Sequence, residues 1–98
     1  MKEGLRSLVD AIKALGEETR LKIVLLLCQE EMCVCDMMTR LDLSQSVVSH
    51  HLKVLRQAQL VNNRRDGKWM FYSLNHQQFI GFEQDLAKLV LQRVAASE

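Results

Sequence analysis

No proline occurs anywhere in the 98-residue chain, and glycine occurs only four times. Proline and glycine punctuate sheet-rich folds, so their scarcity excludes an all-β sandwich and predicts long helices joined by few turns. Aromatic residues are sparse at 5%, and no apolar run is long. The longest, Ile23 to Cys28, is far short of the ~20 residues that span a bilayer. The amino terminus, MKEGLRSLVD, carries no apolar stretch of the signal-peptide kind, so the expected location is the cytoplasm, with no membrane partner. The three cysteines, odd in number where cytoplasmic thiols stay reduced, are poor material for a disulfide framework and better material for metal binding or redox sensing. With 48% hydrophobic and 26% charged positions, the chain furnishes one small core over residues 1–98, too little for a multidomain enzyme.

The formal net charge of +1 hides a segregation of sign. Residues 44–68 carry Lys53, Arg56, Arg64, Arg65 and Lys68 against Asp66 alone, a surplus of four that leaves −3 on the remainder. A basic segment on a near-neutral domain suits contact with phosphates, although a solvated patch has the same composition.

Periodicity divides the chain. Leu5, Leu8, Val9, Ile12 and Leu15 recur at helical spacing over residues 5–15, and Gly16 can close that helix. A second, strongly apolar helix opens at Glu17 and Glu18, whose charge suits a helix amino terminus. A short third helix is predicted from Asp36, as its cap, to Leu41. After a turn at Asp42 to Ser44, a fourth covers Gln45 to Gln57, burying Val47, Val48, Leu52 and Leu55 and leaving Gln45, Ser46, Ser49, His50 and Lys53 outward. From residue 60 to 74 the pattern alternates around Asp66-Gly67, predicting one β-hairpin. The last segment, 76–96, is again helical, with Phe79, Phe82, Leu86, Leu89, Val90 and Val94 in one stripe. Two long amphipathic helices at the ends of so small a chain expose more apolar surface than its core covers, so dimerisation through 5–15 and 76–96 is expected.

The fold class that follows is mostly α with one β-hairpin: a winged helix-turn-helix, with the helix-turn-helix at 36–57 and the wing at 60–74. Gln45, Ser46, Ser49 and His50 can meet base edges of double-stranded DNA, while Lys53 and Arg56 meet phosphates. Arg64, Arg65 and Lys68 on the hairpin can follow the backbone or an adjacent minor groove. His51 turns away from Ser49 and His50, which leaves a structural role and a phosphate contact both open. Cys33 and Cys35 would project apart inside a regular helix, but at an extended or frayed helix start they point to one side and can grip one ion. The positive end of the helix dipole there favours the thiolate.

From LGEETRLKIVLLL through CVCD, LSQSVVSHHLKVLRQAQLV and RRDGKWMFYSL, in one collinear block over roughly residues 12 to 75, the chain closely resembles the ArsR/SmtB metal- and metalloid-responsive repressors. The resemblance implies a homodimer whose first and last helices form the interface, and an inducer that lowers affinity for operator DNA. It also implies that Ser44, Gln45, Ser46, Ser49, His50 and Lys53 lie on the DNA-reading helix. The CVCD segment, here Cys33, Val34, Cys35 and Asp36, corresponds to the inducer site of members sensing arsenite, antimonite, cadmium or lead, so As(III) or Sb(III) is the expected inducer. Arsenic-sensing members often have a third cysteine three residues further on, where this chain has Met38. The third ligand could then be Cys28, a small cellular thiol, or none; a cysteine at the end of LLLC is more often a core residue. Cadmium- and lead-sensing relatives draw cysteines from an amino-terminal arm, but residues 1–27 contain none. The last-helix zinc site of other relatives falls here on His76, Gln78, Leu89 and Gln92, which cannot reproduce it. Other soft metals remain, including copper(I) among Met32, Met37 and Met38, as does thiol oxidation. A dithiol oxidoreductase lacks both a βαβ frame and a Cys-x-x-Cys pair, and a purely architectural DNA binder would leave the cysteines idle.

Overall fold

The computed structural model describes residues 2–97, with side chains from 4 to 91. Its elements run α1 (Lys2–Leu15), α2 (Glu18–Gln29), β1 (Met32–Cys33), α3 (Val34–Leu41), α4 (Gln45–Gln57), β2 (Val61–Asp66), β3 (Trp69–Leu74) and α5 (His76–Ser97). The strands form one antiparallel sheet in the order β1-β3-β2. The result is five helices with a winged helix-turn-helix at the centre, more than a lone hairpin only by the two residues of β1. Among the described residues no helix is long and apolar enough to cross a membrane.

Ile23 of α2, Met32 of β1, Met37 of α3, Val48, Leu52 and Leu55 of α4, and Leu60 make the fully buried centre. Each helix of the helix-turn-helix therefore contributes one face to a shared core, which fixes α4 against α2 and the sheet. Local chemistry sets the boundaries. Glu17 caps α2 by accepting the Arg20 N–H at 3.0 Å, and Ser44 caps α4 through Val47 N–H at 3.3 Å. Asp42 closes α3 in the left-handed region at φ 54°, a conformation that Asp tolerates better than most side chains, and so turns the chain towards α4.

Several expectations are corrected. The helix-turn-helix begins at Val34 rather than residue 36, with Cys33 and not Asp36 in the capping position. The cause is β1: pairing with β3 holds Met32 and Cys33 extended, so the helix starts as soon as that pairing ends. The hairpin loop is Gly67–Lys68, one residue later than Asp66-Gly67, because Asp66 pairs with Trp69; Gly67 supplies the positive φ of 62°. Val47 is exposed, since the buried line of α4 runs through Val48, Leu52 and Leu55 about 100° around the helix. On α1 the inward face is Leu8, Ala11 and Ala14, whose small side chains allow close packing. Leu5, Val9 and Ile12 point to solvent instead. On α5, Phe79 and Phe82 pack on the core while Leu86, Leu89, Val90 and Leu91 are exposed; the Val94 side chain lies outside the described residues.

Candidate nucleic-acid interface and thiolate site

Burying Val48, Leu52 and Leu55 leaves α4 with one exposed polar face made of Gln45, Ser46, Ser49, His50, Lys53 and Arg56. Ser44 stands at its start, with its hydroxyl given to the helix cap and 3.3 Å from that of Ser46. The face is polar at its amino-terminal end and cationic further along, with neutral hydrogen-bonding groups leading and Lys53 and Arg56 behind them. Arg65 and Lys68 are exposed on the hairpin, with the Lys68 ammonium 5.2 Å from the Trp69 ring centre.

Arg64 is placed differently from its neighbours. Its guanidinium forks onto Glu31, donating from Nε to Oε2 at 2.8 Å and from NH2 to Oε1 at 2.6 Å. It also lies 4.7 Å over the centre of the Phe71 ring and 3.8 Å from the Asp66 carboxylate. The forked hydrogen bond holds the Glu31 carboxyl below its ordinary range and raises the Arg64 guanidinium. Glu31 carried no sequence signal for this role, because the partners are 33 residues apart.

His51 sits on the flank of α4 with its side chain only 14% exposed. Its Nδ1 lies 3.3 Å from an Arg20 guanidinium nitrogen and 3.7 Å from Glu17, while Arg20 Nε donates to the Ala14 carbonyl at 2.6 Å. The histidine thus joins α4 to the α1–α2 junction, which is the structural alternative.

The cysteines stand where the wing meets the helix-turn-helix. Cys33 ends β1, extended at φ −82° and ψ 162° and paired with Phe71 of β3, and it is buried. Cys35 is in the first turn of α3 and exposed. The extended residue lets both side chains turn to one side: their Cα atoms are 5.4 Å apart and their sulfurs are joined as a disulfide. The Asp36 carboxylate completes a cluster whose three ligand atoms lie within 4.8 Å of one another, the only such group of three or more among the described residues. Asp36, expected both as a cap and as the last residue of the CVCD segment, stands here beside the sulfurs. Cys28, near the end of α2, is exposed and outside that cluster, so no third sulfur from this chain accompanies the pair. In the reduced state the arrangement offers two thiols at a helix amino terminus, suited to soft thiophilic ions and open to oxidation.

Comparison with known proteins agrees with this architecture. Residues 17–63 match the family model described as "Bacterial regulatory protein, arsR family". The arsenical resistance operon repressor of Escherichia coli (strain K12) is 48% identical over 68 residues, covering 68% of this chain and 58% of that protein. The arsenical resistance operon repressor of Bacillus subtilis (strain 168) is 39% identical over 80 residues, covering 81% of this chain and 76% of that protein. Among solved structures, reduced HlyU from Vibrio cholerae N16961 superposes with a TM-score of 0.73 at 35% identity, over 86% of this chain and 90% of that one.

Proposed function

The chain belongs to the ArsR family of bacterial regulatory proteins, and from that premise we propose that it is a transcriptional repressor that binds operator DNA as a homodimer and lets go when As(III) or Sb(III) is captured by Cys33 and Cys35. The observation that carries this reading is the position of the cysteine pair. Cys33 and Cys35 straddle the start of α3, the helix that packs beside α4, so closing a ligand on them acts on the reading head itself.

In this reading Gln45, Ser46, Ser49 and His50 reach base edges in the major groove, while Ser44 holds the start of their helix and Lys53 and Arg56 meet phosphates. Arg64, Arg65 and Lys68 contribute wing contacts whose affinity falls with salt. Two copies joined through α1 and α5 would set two reading helices about one helical turn of DNA apart. The ligand takes two thiolates from the chain, with the Asp36 carboxylate beside them. Capture of a trivalent oxyanion acid by two thiols forms two As–S or Sb–S bonds and releases two waters. Bridging the sulfurs shifts α3 against α4 and spoils the spacing of the two readers; a coupling of ~1–3 kcal/mol is ordinary for such a switch.

The test is an operator-release titration under strict reductant with arsenite, antimonite, cadmium, lead, zinc and copper(I). Arsenite and antimonite are expected to release wild-type protein at the lowest concentrations. Cys33→Ser should bind the same duplex with unchanged affinity yet resist arsenite. Normal release of that variant would remove the site. The joined sulfurs favour one alternative, thiol oxidation as the signal, which predicts release by peroxide and none by arsenite under reductant.

A further inference from the structure

Arg64 stands in the basic wing, yet two of its donors, on one edge of the guanidinium, are given to a carboxylate. Its two hydrogen bonds to Glu31, at 2.6 and 2.8 Å, make a forked pair, the geometry by which a guanidinium also takes a phosphate. The same fork cannot serve both partners at once. Glu31 stands immediately before β1, and β1 carries Cys33. Across the sheet Cys33 pairs with Phe71, and Phe71 pairs with Arg64, so a single ladder row connects Cys33 to the arginine. Directly paired residues project to the same face, which is why the Arg64 guanidinium lies 4.7 Å over the Phe71 ring. The state in which Cys33 and Cys35 are drawn together is therefore also one in which Glu31 grips Arg64.

We propose that Glu31 is an intramolecular competitor for Arg64: with the cysteine pair closed, its carboxylate occupies the guanidinium fork and withholds it from DNA phosphate. Opening of the cysteine pair moves β1, loosens Glu31 from the arginine and returns one cation per protomer to the wing. The proposal rests on the reading of this chain as a DNA-binding repressor and adds to it a positioning residue outside the thiolate cluster. Glu31 touches neither the inducer nor the DNA, and it acts only through Arg64.

Full-length wild type, Glu31→Gln, Arg64→Gln and the double variant test it. Each is titrated under reductant against a duplex selected by wild type from a random pool, at several salt concentrations, with and without arsenite. Glu31→Gln removes the charge and keeps the shape, so with arsenite closing the pair it should bind about two- to fivefold tighter than wild type, the worth of an exposed ion pair that no longer competes, and without arsenite it should match wild type. With arsenite present its log K against log salt slope should exceed that of wild type by about 0.9 for each arginine set free. Arsenite should release it less completely than wild type. The double variant should lose both the gain and the added slope. A pair that merely braces the wing would instead lower melting temperature and affinity together when Glu31 is neutralised. Wild-type affinity and slope in Glu31→Gln with arsenite present, or a gain that survives in the double variant, would overturn the proposal while leaving the repressor reading intact. A wild type that selects no duplex brings down that reading and this inference with it.

Discussion

Glu17 shows how one side chain can serve both a helix and its neighbours. It accepts the Arg20 N–H that would otherwise be unpaired at the start of α2, and it faces His51 of the reading helix across 3.7 Å. Its carboxyl is held below the ordinary range, first by the backbone hydrogen bond from Arg20, with Thr19 N–H, His51 and the Arg20 charge adding to it and partial burial opposing. A carboxyl whose folded pKa is depressed stabilises the fold fully above its unfolded pKa and loses that contribution as pH falls through the folded value. The melting temperature of wild type should accordingly fall on acidification from about pH 5 to about pH 3. Glu17→Gln keeps an acceptor for the cap but does not titrate, so its loss over the same interval should be smaller when the two melting curves are compared. Equal losses would show that Glu17 contributes nothing to the acid response. The sequence marked Glu17 as favourable at a helix start, and that part was readable from its position. The link to His51 was not, because it depends on how α2 crosses α4.

At the scale of elements, the turn between α3 and α4 determines how the first helix presents the second. Asp42 stands there at φ 54°, and its left-handed conformation carries the chain to the Ser44 cap. A β-branched side chain is disfavoured in that region, whereas glycine is at home. Asp42→Val should therefore lower unfolding stability by about 1–2 kcal/mol, and Asp42→Gly should remain within about 0.5 kcal/mol of wild type, as read from urea midpoints. A Val variant as stable as wild type would show that the turn readily takes another conformation. The helices were legible in the sequence because each buries a face with helical period. The wing was legible because its period changes to two on either side of a turn glycine. β1 was not, since two residues carry no periodicity and their pairing with Phe71 and Tyr72 is made at long range. That omission explains the misplaced start of α3. It also hid the row from Cys33 to Arg64, so that Arg64 was grouped with Arg65 and Lys68 as a free cation although Glu31 holds it.

The molecule as a whole is longer than its residue count requires. It extends 55 × 23 × 23 Å with a radius of gyration of 15.5 Å, against about 13 Å for a compact chain of this length. The excess comes with α5, a 22-residue helix whose first turns rest on the core through Phe79 and Phe82 and whose later turns expose Leu86, Leu89, Val90 and Leu91. Leu89 and Leu91 are 50% and 64% exposed, and Leu5 and Ile12 of α1 are 56% and 46%, so large apolar side chains on both terminal helices stand in water where alanines face the core. Exposure of that kind on two helices is costly to an isolated chain and is relieved by an isologous pairing of copies. Under the dimeric reading, Leu89→Glu places two like charges near the twofold axis of an apolar seam, while the core residues of the same chain are untouched. The variant should sediment as a monomer at concentrations where wild type is dimeric, and its circular dichroism should remain helical. Its affinity for a two-half-site duplex should fall by about a hundredfold or more, because the second reading helix is no longer held at high effective concentration. Affinity for a single half-site should change little. A variant that stays dimeric, or one that loses half-site binding equally, would move the interface away from this helix.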